Sequence, residues 1–205
     1  MRIYLTYSRF AQLVKSAFLA VLSVCLCLPL AACGEDQPIV IGFVGGLTGR
    51  VADLGVAGRD GVLVAIEEIN SSGGIAGQKV KLIVKDDQQD AKLAQQAVRE
   101  LDRAQVLAIL GPMTSSIAMA IHPSISARQI VTVSPTVKTD QLSGQDDTFF
   151  RVTTPLSRNA EKIADHATQR LKLKKIAVVC DLSNTDFTKT WLSYFTTALE
   201  KNGGT

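Results

Sequence analysis

Ile109-Leu-Gly-Pro-Met-Thr-Ser-Ser-Ile-Ala118 joins an apolar run ending at Leu110 to a helix-like pattern whose first turn holds three successive hydroxyl residues, Thr114, Ser115 and Ser116. A helix start leaves about four backbone N–H groups without intrahelical partners. The hydroxyls are therefore placed to cap the helix or to help seat a ligand's negative charge. On either reading the stretch is a buried strand, a glycine loop and a helix, and this unit recurs on both sides of it.

Upstream, Ile39-Val-Ile-Gly-Phe-Val44 is a short apolar run closed by glycines, which predicts a buried strand. A helix is expected over 58–70, with Val62, Ala65, Ile66 and Ile69 at helical spacing. Val80-Lys-Leu-Ile-Val-Lys85 is the second strand, and Asp90 is placed to cap a helix whose stripe is Leu93, Ala97, Leu101 and Ala104. The third strand is expected at 106–110 and the fourth at 130–133, with a proline kink at Pro123 in the helix between them. Residues 140–147 are polar and aperiodic, a surface loop. After Phe149-Phe-Arg-Val152 the alternation predicts a helix over 158–171, a strand over 175–180 and a helix over 188–201. Such alternation implies right-handed crossovers and an α/β fold with a parallel sheet covered on both faces.

The ends of the chain carry different information. Arg2, Arg9 and Lys15 precede the apolar block Ala17 to Leu30, and Leu30-Ala-Ala-Cys33 follows in register. This is the arrangement of a secretory signal over residues 1–32, and the block is shorter than the ~20 residues a membrane-spanning helix needs. Leu-Ala-Ala-Cys resembles the bacterial lipobox, so Cys33 is the expected site of lipidation and residues 33–38 a linker behind the membrane anchor. Without residues 1–32 the chain has nineteen basic and nineteen acidic residues, a neutral balance that gives no ground for a nucleic-acid partner. Cys180 is then the one cysteine beyond Cys33; it ends an apolar run and is expected to be buried. At the other end, Asn202-Gly-Gly204 stops a helix where a strand should begin, so the chain is read as part of a longer protein.

Several motifs, each weak alone, are specific in order and spacing: Ile41-Gly-Phe-Val-Gly-Gly-Leu-Thr-Gly49, Gly73-Gly-Ile-Ala-Gly77, Lys85-Asp-Asp87, Gly111-Pro-Met-Thr-Ser115, Ser134-Pro-Thr136 and Phe149-Phe-Arg-Val152. Together they resemble the type I periplasmic binding proteins of the leucine-isoleucine-valine group, substrate-binding components of ABC importers for amino acids and amides. The resemblance implies two Rossmann-like lobes with parallel sheets: residues 39–152 as lobe 1 and 153–205 as the start of an incomplete lobe 2, hinged at 152–155. It also implies a small amino acid or amide in the cleft, and permease and ATPase partners. No enzymatic activity and no cofactor are implied.

Carried over residue by residue, the resemblance assigns the ligand carboxylate to Ser115, beside Thr114 and Ser116 at the helix start. The loop from Ser134 to Lys138 would supply the Thr136 carbonyl for the ligand ammonium. Lys138 stands where relatives have a hydroxyl. Leu54 and Phe187 stand where leucine-type binders line the cleft with aromatic side chains, and the relatives' disulfide cysteines fall on Gln89 and Thr114.

Other chemistries find little support. Gly42, Gly45, Gly46 and Gly49 match neither the dinucleotide fingerprint nor the phosphate loop. Asp86-Asp87 lacks the further aspartate that a phosphorylation receiver needs after its third strand, and reads as a solvated strand end. His122 and His166 show no acid or nucleophile pairing, and no metal-ligand spacing is present. A ligand-sensing domain of a signalling receptor is the alternative to a transport component, with an exported α/β hydrolase behind it.

Overall fold

The computed structural model describes residues 37–205; the expected signal at 1–32, Cys33 and all but the last two residues of the expected linker lie outside the described residues. Five parallel strands make one sheet in the order β2-β1-β3-β4-β5. They are β1 Ile39–Gly45, β2 Val80–Asp86, β3 Ala108–Leu110, β4 Val131–Ser134 and β5 Phe149–Arg151. The helices between them are α1 Ala52–Ser71, α2 Ala91–Arg103 and α3 Ser115–Arg128. After β5 come α4 Leu156–Asp165, extended by a π-helical turn at His166–Arg170, and α5 Thr185–Lys201. The α/β class and parallel sheet are as expected, and so is the Asp90 cap, whose carboxylate accepts from Lys92 N at 2.8 Å and Leu93 N at 2.9 Å.

The core lies where the sheet meets α2 and α3. Leu101, Ile109, Ile121 and Ile125 are all fully buried there with Val44 and Val98. Each such side chain contributes about 1.5–3 kcal/mol by leaving water. A second cluster joins Ala160 and Ala164 of α4 to Phe195 and Leu199 of α5. Among the described residues no helix is long and apolar enough to cross a membrane.

Several expected boundaries move for physical reasons. α1 starts at Ala52, well before 58, because a 3-10 turn at Gly49–Val51 leads into it and Gly55 lets its first turn press on the Gly46 carbonyl. A Cβ at Gly55 would lie 1.9 Å from Gly46 O. The buried stripe of α2 is Ala94, Ala97, Val98 and Leu101, with Leu93 half-buried and Ala104 exposed, a phase set by packing on the sheet. α3 continues on both sides of Pro123. The 140–147 loop is not wholly superficial: its turn Asp140–Leu142 buries Leu142 in the core, and Asp140 accepts from Ser157 N and Oγ.

The strand expected at 175–180 does not form. A strand is defined by lateral partners, and this segment's ladder bonds are two: Thr205 N donates to Lys174 O at 2.8 Å and Ile176 N to Thr205 O at 2.9 Å. Val179 is consequently 99% exposed, and Cys180 is half-buried instead of enclosed.

Candidate functional site

Because all five strands run the same way, their carboxyl ends share one edge of the sheet, where open α/β folds take ligands. Four connections meet there: 46–51 after β1, 87–90 after β2, 111–114 after β3, which delivers α3, and 135–139 after β4. Thr114 is in the extended N-cap conformation at φ −124° and ψ 151°, yet it makes no capping bond to its own helix. Its hydroxyl instead donates to Gln89 Oε1 at 3.0 Å. Thr114 therefore braces the β2 and β3 loops together, a role that its assignment to the ligand did not anticipate. Gln89 and Thr114 are the two positions at which the resembled binders carry a disulfide, and here they are joined by a hydrogen bond.

Ser134 is also spent internally. It is fully buried, donates to Pro112 O at 2.7 Å, and accepts from Val137 N at 3.1 Å, so it fixes the loop after β4 against the loop after β3. Thr136 donates its hydroxyl to Met113 O at 2.5 Å, while its carbonyl takes no donor among the described residues. Ser115 is 1% exposed and its Oγ accepts a long bond, 3.4 Å, from Lys138 N. The Lys138 carbonyl accepts from Leu156 N, tying this corner to the start of α4. Among the described residues the Lys138 ammonium makes no ion pair. Leu54, on the first turn of α1, is 40% exposed, and Phe187, on the first turn of α5, is half-buried.

Ser116 shows what the helix start attracts. Its backbone N–H donates to Asn184 Oδ1 at 3.1 Å, and its Oγ accepts from Asp186 N at 3.2 Å. Arg50, on the β1 loop, reaches the same neighbour: it pairs with Asp181 and donates to Ser183 Oγ at 2.6 Å. Gln89 Nε2 adds a 3.4 Å bond to Ser183 O. The Asp181 carboxyl is held below the ordinary range, first by the Ser183 backbone N–H and then by Arg50. Asn184 and Arg50 were missed from sequence because these contacts span more than sixty residues and leave no local pattern.

Two acidic residues behave differently from a solvated strand end. Asp86 feels burial pushing its pKa up, but bonds from Thr48 Oγ1 at 2.6 Å, Leu47 N at 2.7 Å and Gln88 N at 2.9 Å outweigh this and hold it low. Asp87 is 1% exposed, and burial pushes its pKa up to about 6. His122 does have an acid partner: its Nε2 lies 2.6 Å from Asp147 Oδ2, both side chains being mostly buried. Ser126 Oγ approaches the same ring nitrogen, at 3.4 Å. One nitrogen serving both partners relays no proton between them, so the pair is a brace between α3 and the entry to β5. Among the described residues no group of metal-ligating side chains is found.

Residues 38–205 match the family model described as "Periplasmic binding protein". The chain belongs to the periplasmic binding protein family. A family member from Brucella melitensis, "Leu/Ile/Val-binding protein homolog 3", is 31% identical over 144 residues, covering 70% of this chain and 39% of that protein. An "Amino acid binding protein" of Pseudomonas aeruginosa is 30% identical over 145 residues, again 70% of this chain and 39% of its own length. Among solved members, the branched-chain amino acid transporter substrate binding protein of Streptococcus pneumoniae, in complex with isoleucine, superposes with a TM-score of 0.74 at 27% identity. That match covers 78% of this chain and 46% of the other. The chain thus spans less than half the length of these family members. They are named as binding proteins, not enzymes.

Proposed function

We propose that this chain belongs to an extracytoplasmic substrate-binding component of an ABC importer that captures a small amino acid or amide between two lobes. Residues 39–152 form the first lobe in this reading and 153–205 begin the second. The observation that supports it most is at Ser116: an uncharged amide oxygen, Asn184 Oδ1, sits on an α3 first-turn N–H that the helix's own cap leaves unserved. A ligand carboxylate oxygen has the same geometry and a full charge, so it competes for that donor on favourable terms. The Ser115 hydroxyl and the Lys138 backbone lie at the same corner, the Lys138 ammonium makes no ion pair among the described residues, and the Thr136 carbonyl is available for an ammonium. Permease and ATPase subunits would recognise the closed form.

In the full-length protein, Ser115→Ala is expected to weaken L-leucine binding about tenfold, the loss of one hydrogen bond to a charged group of ~1.5 kcal/mol. Calorimetry with leucine and with leucinamide decides the matter. Equal losses for acid and amide would mean that the hydroxyl serves only the helix.

Lipidation of Cys33 is part of the same proposal, motivated by Leu30-Ala-Ala-Cys33 behind the apolar block. Labelling cells with a fatty-acid analogue should mark the wild-type protein and not Cys33→Ala. Equal label in both would remove the anchor from the reading.

A further inference from the structure

The contacts around Ser116 are reciprocal. Asn184 is the N-cap residue of α5 and makes no capping bond to its own helix; Thr114 is the N-cap residue of α3 and makes none to its own. Each helix is capped from the other. Asn184 Oδ1 takes the Ser116 N–H of α3, and Ser116 Oγ takes the Asp186 N–H of α5. Two helix N-termini, each carrying about half a positive charge, are therefore brought together with neutral oxygens as the exchanged acceptors, and Asp186 in the first turn of α5 is the one acidic residue in either first turn. Such an approach is unfavourable unless something else holds it. Arg50 does so beside them through Asp181 and Ser183, with Gln89 adding its bond to the Ser183 carbonyl.

We infer that these exchanged caps and the Arg50 clasp form a latch that closes the protein without ligand, and that an incoming anion works by replacing Asn184. A carboxylate has two oxygens. It can accept from Ser116 N–H and Asp186 N–H together, taking over both exchanged caps and putting negative charge between the two positive helix ends. Asn184 is thus a competitor that the ligand displaces, whereas Arg50 holds the α5 entry in place in either state. The two residues are predicted to act in opposite directions on affinity. The competition rests on the carboxylate-seat reading above; the closure of the empty protein does not.

The test uses the full-length protein, small-angle scattering and L-leucine titration. Without ligand, Asn184→Ala and Arg50→Ala should each have a larger radius of gyration than wild type, and leucine should contract the variants more than the wild type. Asn184→Ala should bind leucine roughly fivefold more tightly, because one competing hydrogen bond is gone. Arg50→Ala should bind it more weakly. The inference is overturned if the ligand-free variants are no more open than wild type, or if Asn184→Ala fails to tighten leucine binding. Should leucine bind neither wild type nor variant, the proposed ligand class is wrong, and the ligand-free radii still decide whether the latch exists.

Discussion

Gly111→Ala is expected to destabilise the protein by more than about 3 kcal/mol, at the upper end of what overpacking a close-packed interior costs. Two independent causes act at this residue. Its φ is +106°, where side chains are strained, and an added Cβ would stand 2.0 Å from Val44 O and 3.1 Å from Val44 C. Both obstacles are backbone of the interior strand β1 and cannot swing aside, so β1 and the loop that delivers α3 must separate. Thermal unfolding should show a fall of at least about 6 °C for a domain of this size. Gly144→Ala is the control, with φ +70° but nothing within 4 Å. It should lose only the backbone-strain part, about 1 kcal/mol. Equal losses at the two positions would mean that the close approach of Val44 is unimportant.

The second large effect is pH-dependent. Asp87 sits beneath the β1 loop at 1% exposure, with one oxygen accepting from Gln89 N at 2.8 Å and the charge of Asp86 nearby. Burial raises its pKa from 3.8 to about 6. Because the folded value is the higher one, the folded state keeps a proton that the unfolded chain releases. Ionised Asp87 therefore costs stability above pH ~6, and the cost disappears as pH falls through 6 towards 4. A shift of this size corresponds to about 3 kcal/mol. Asp87→Asn keeps an oxygen for Gln89 N–H and removes the charge, so it should raise the urea midpoint at pH 8 and leave it nearly unchanged at pH 4. A gain equal at both pH values would show that shape, not charge, was relieved.

These two residues also mark what was legible in the sequence. The strands from β1 to β4 and the Asp90 cap could be read because period, glycine punctuation and capping are local. The start of α1 could not, since it depends on Gly55 meeting a carbonyl nine residues upstream. Asp87 looked like its neighbour Asp86, and only the layers packed over it distinguish a buried acid from a hydrogen-bonded one. Val178, Val179 and Cys180 have the composition of a strand, but strand formation depends on partners supplied by other segments. At the candidate site the motifs that single out Ser115, Ser116, Thr136 and Lys138 lie on a helix start and a loop that the structure brings together, with Lys138 N bonded to Ser115 Oγ and Thr136 Oγ1 to Met113 O. The internal partners of Thr114 and Ser134 were not legible, because a hydroxyl at a helix start or a strand end says nothing about which neighbour it will serve. Asn184 and Arg50 were invisible for the same reason.

The hydrogen bond from Thr114 to Gln89 joins the two loops at positions where the resembled amino-acid binders have a covalent link. A cross-link of that kind has to be made by an oxidant after export, and a wrong partner has to be undone by an isomerase. Here the brace forms as the loops meet, with no covalent step, and Cys180 is the sole thiol among the described residues. Assembly of this corner is thereby uncoupled from the thiol chemistry of the compartment. This corner can form in a reducing or an oxidising compartment alike, its loops held by a bond that needs no catalyst.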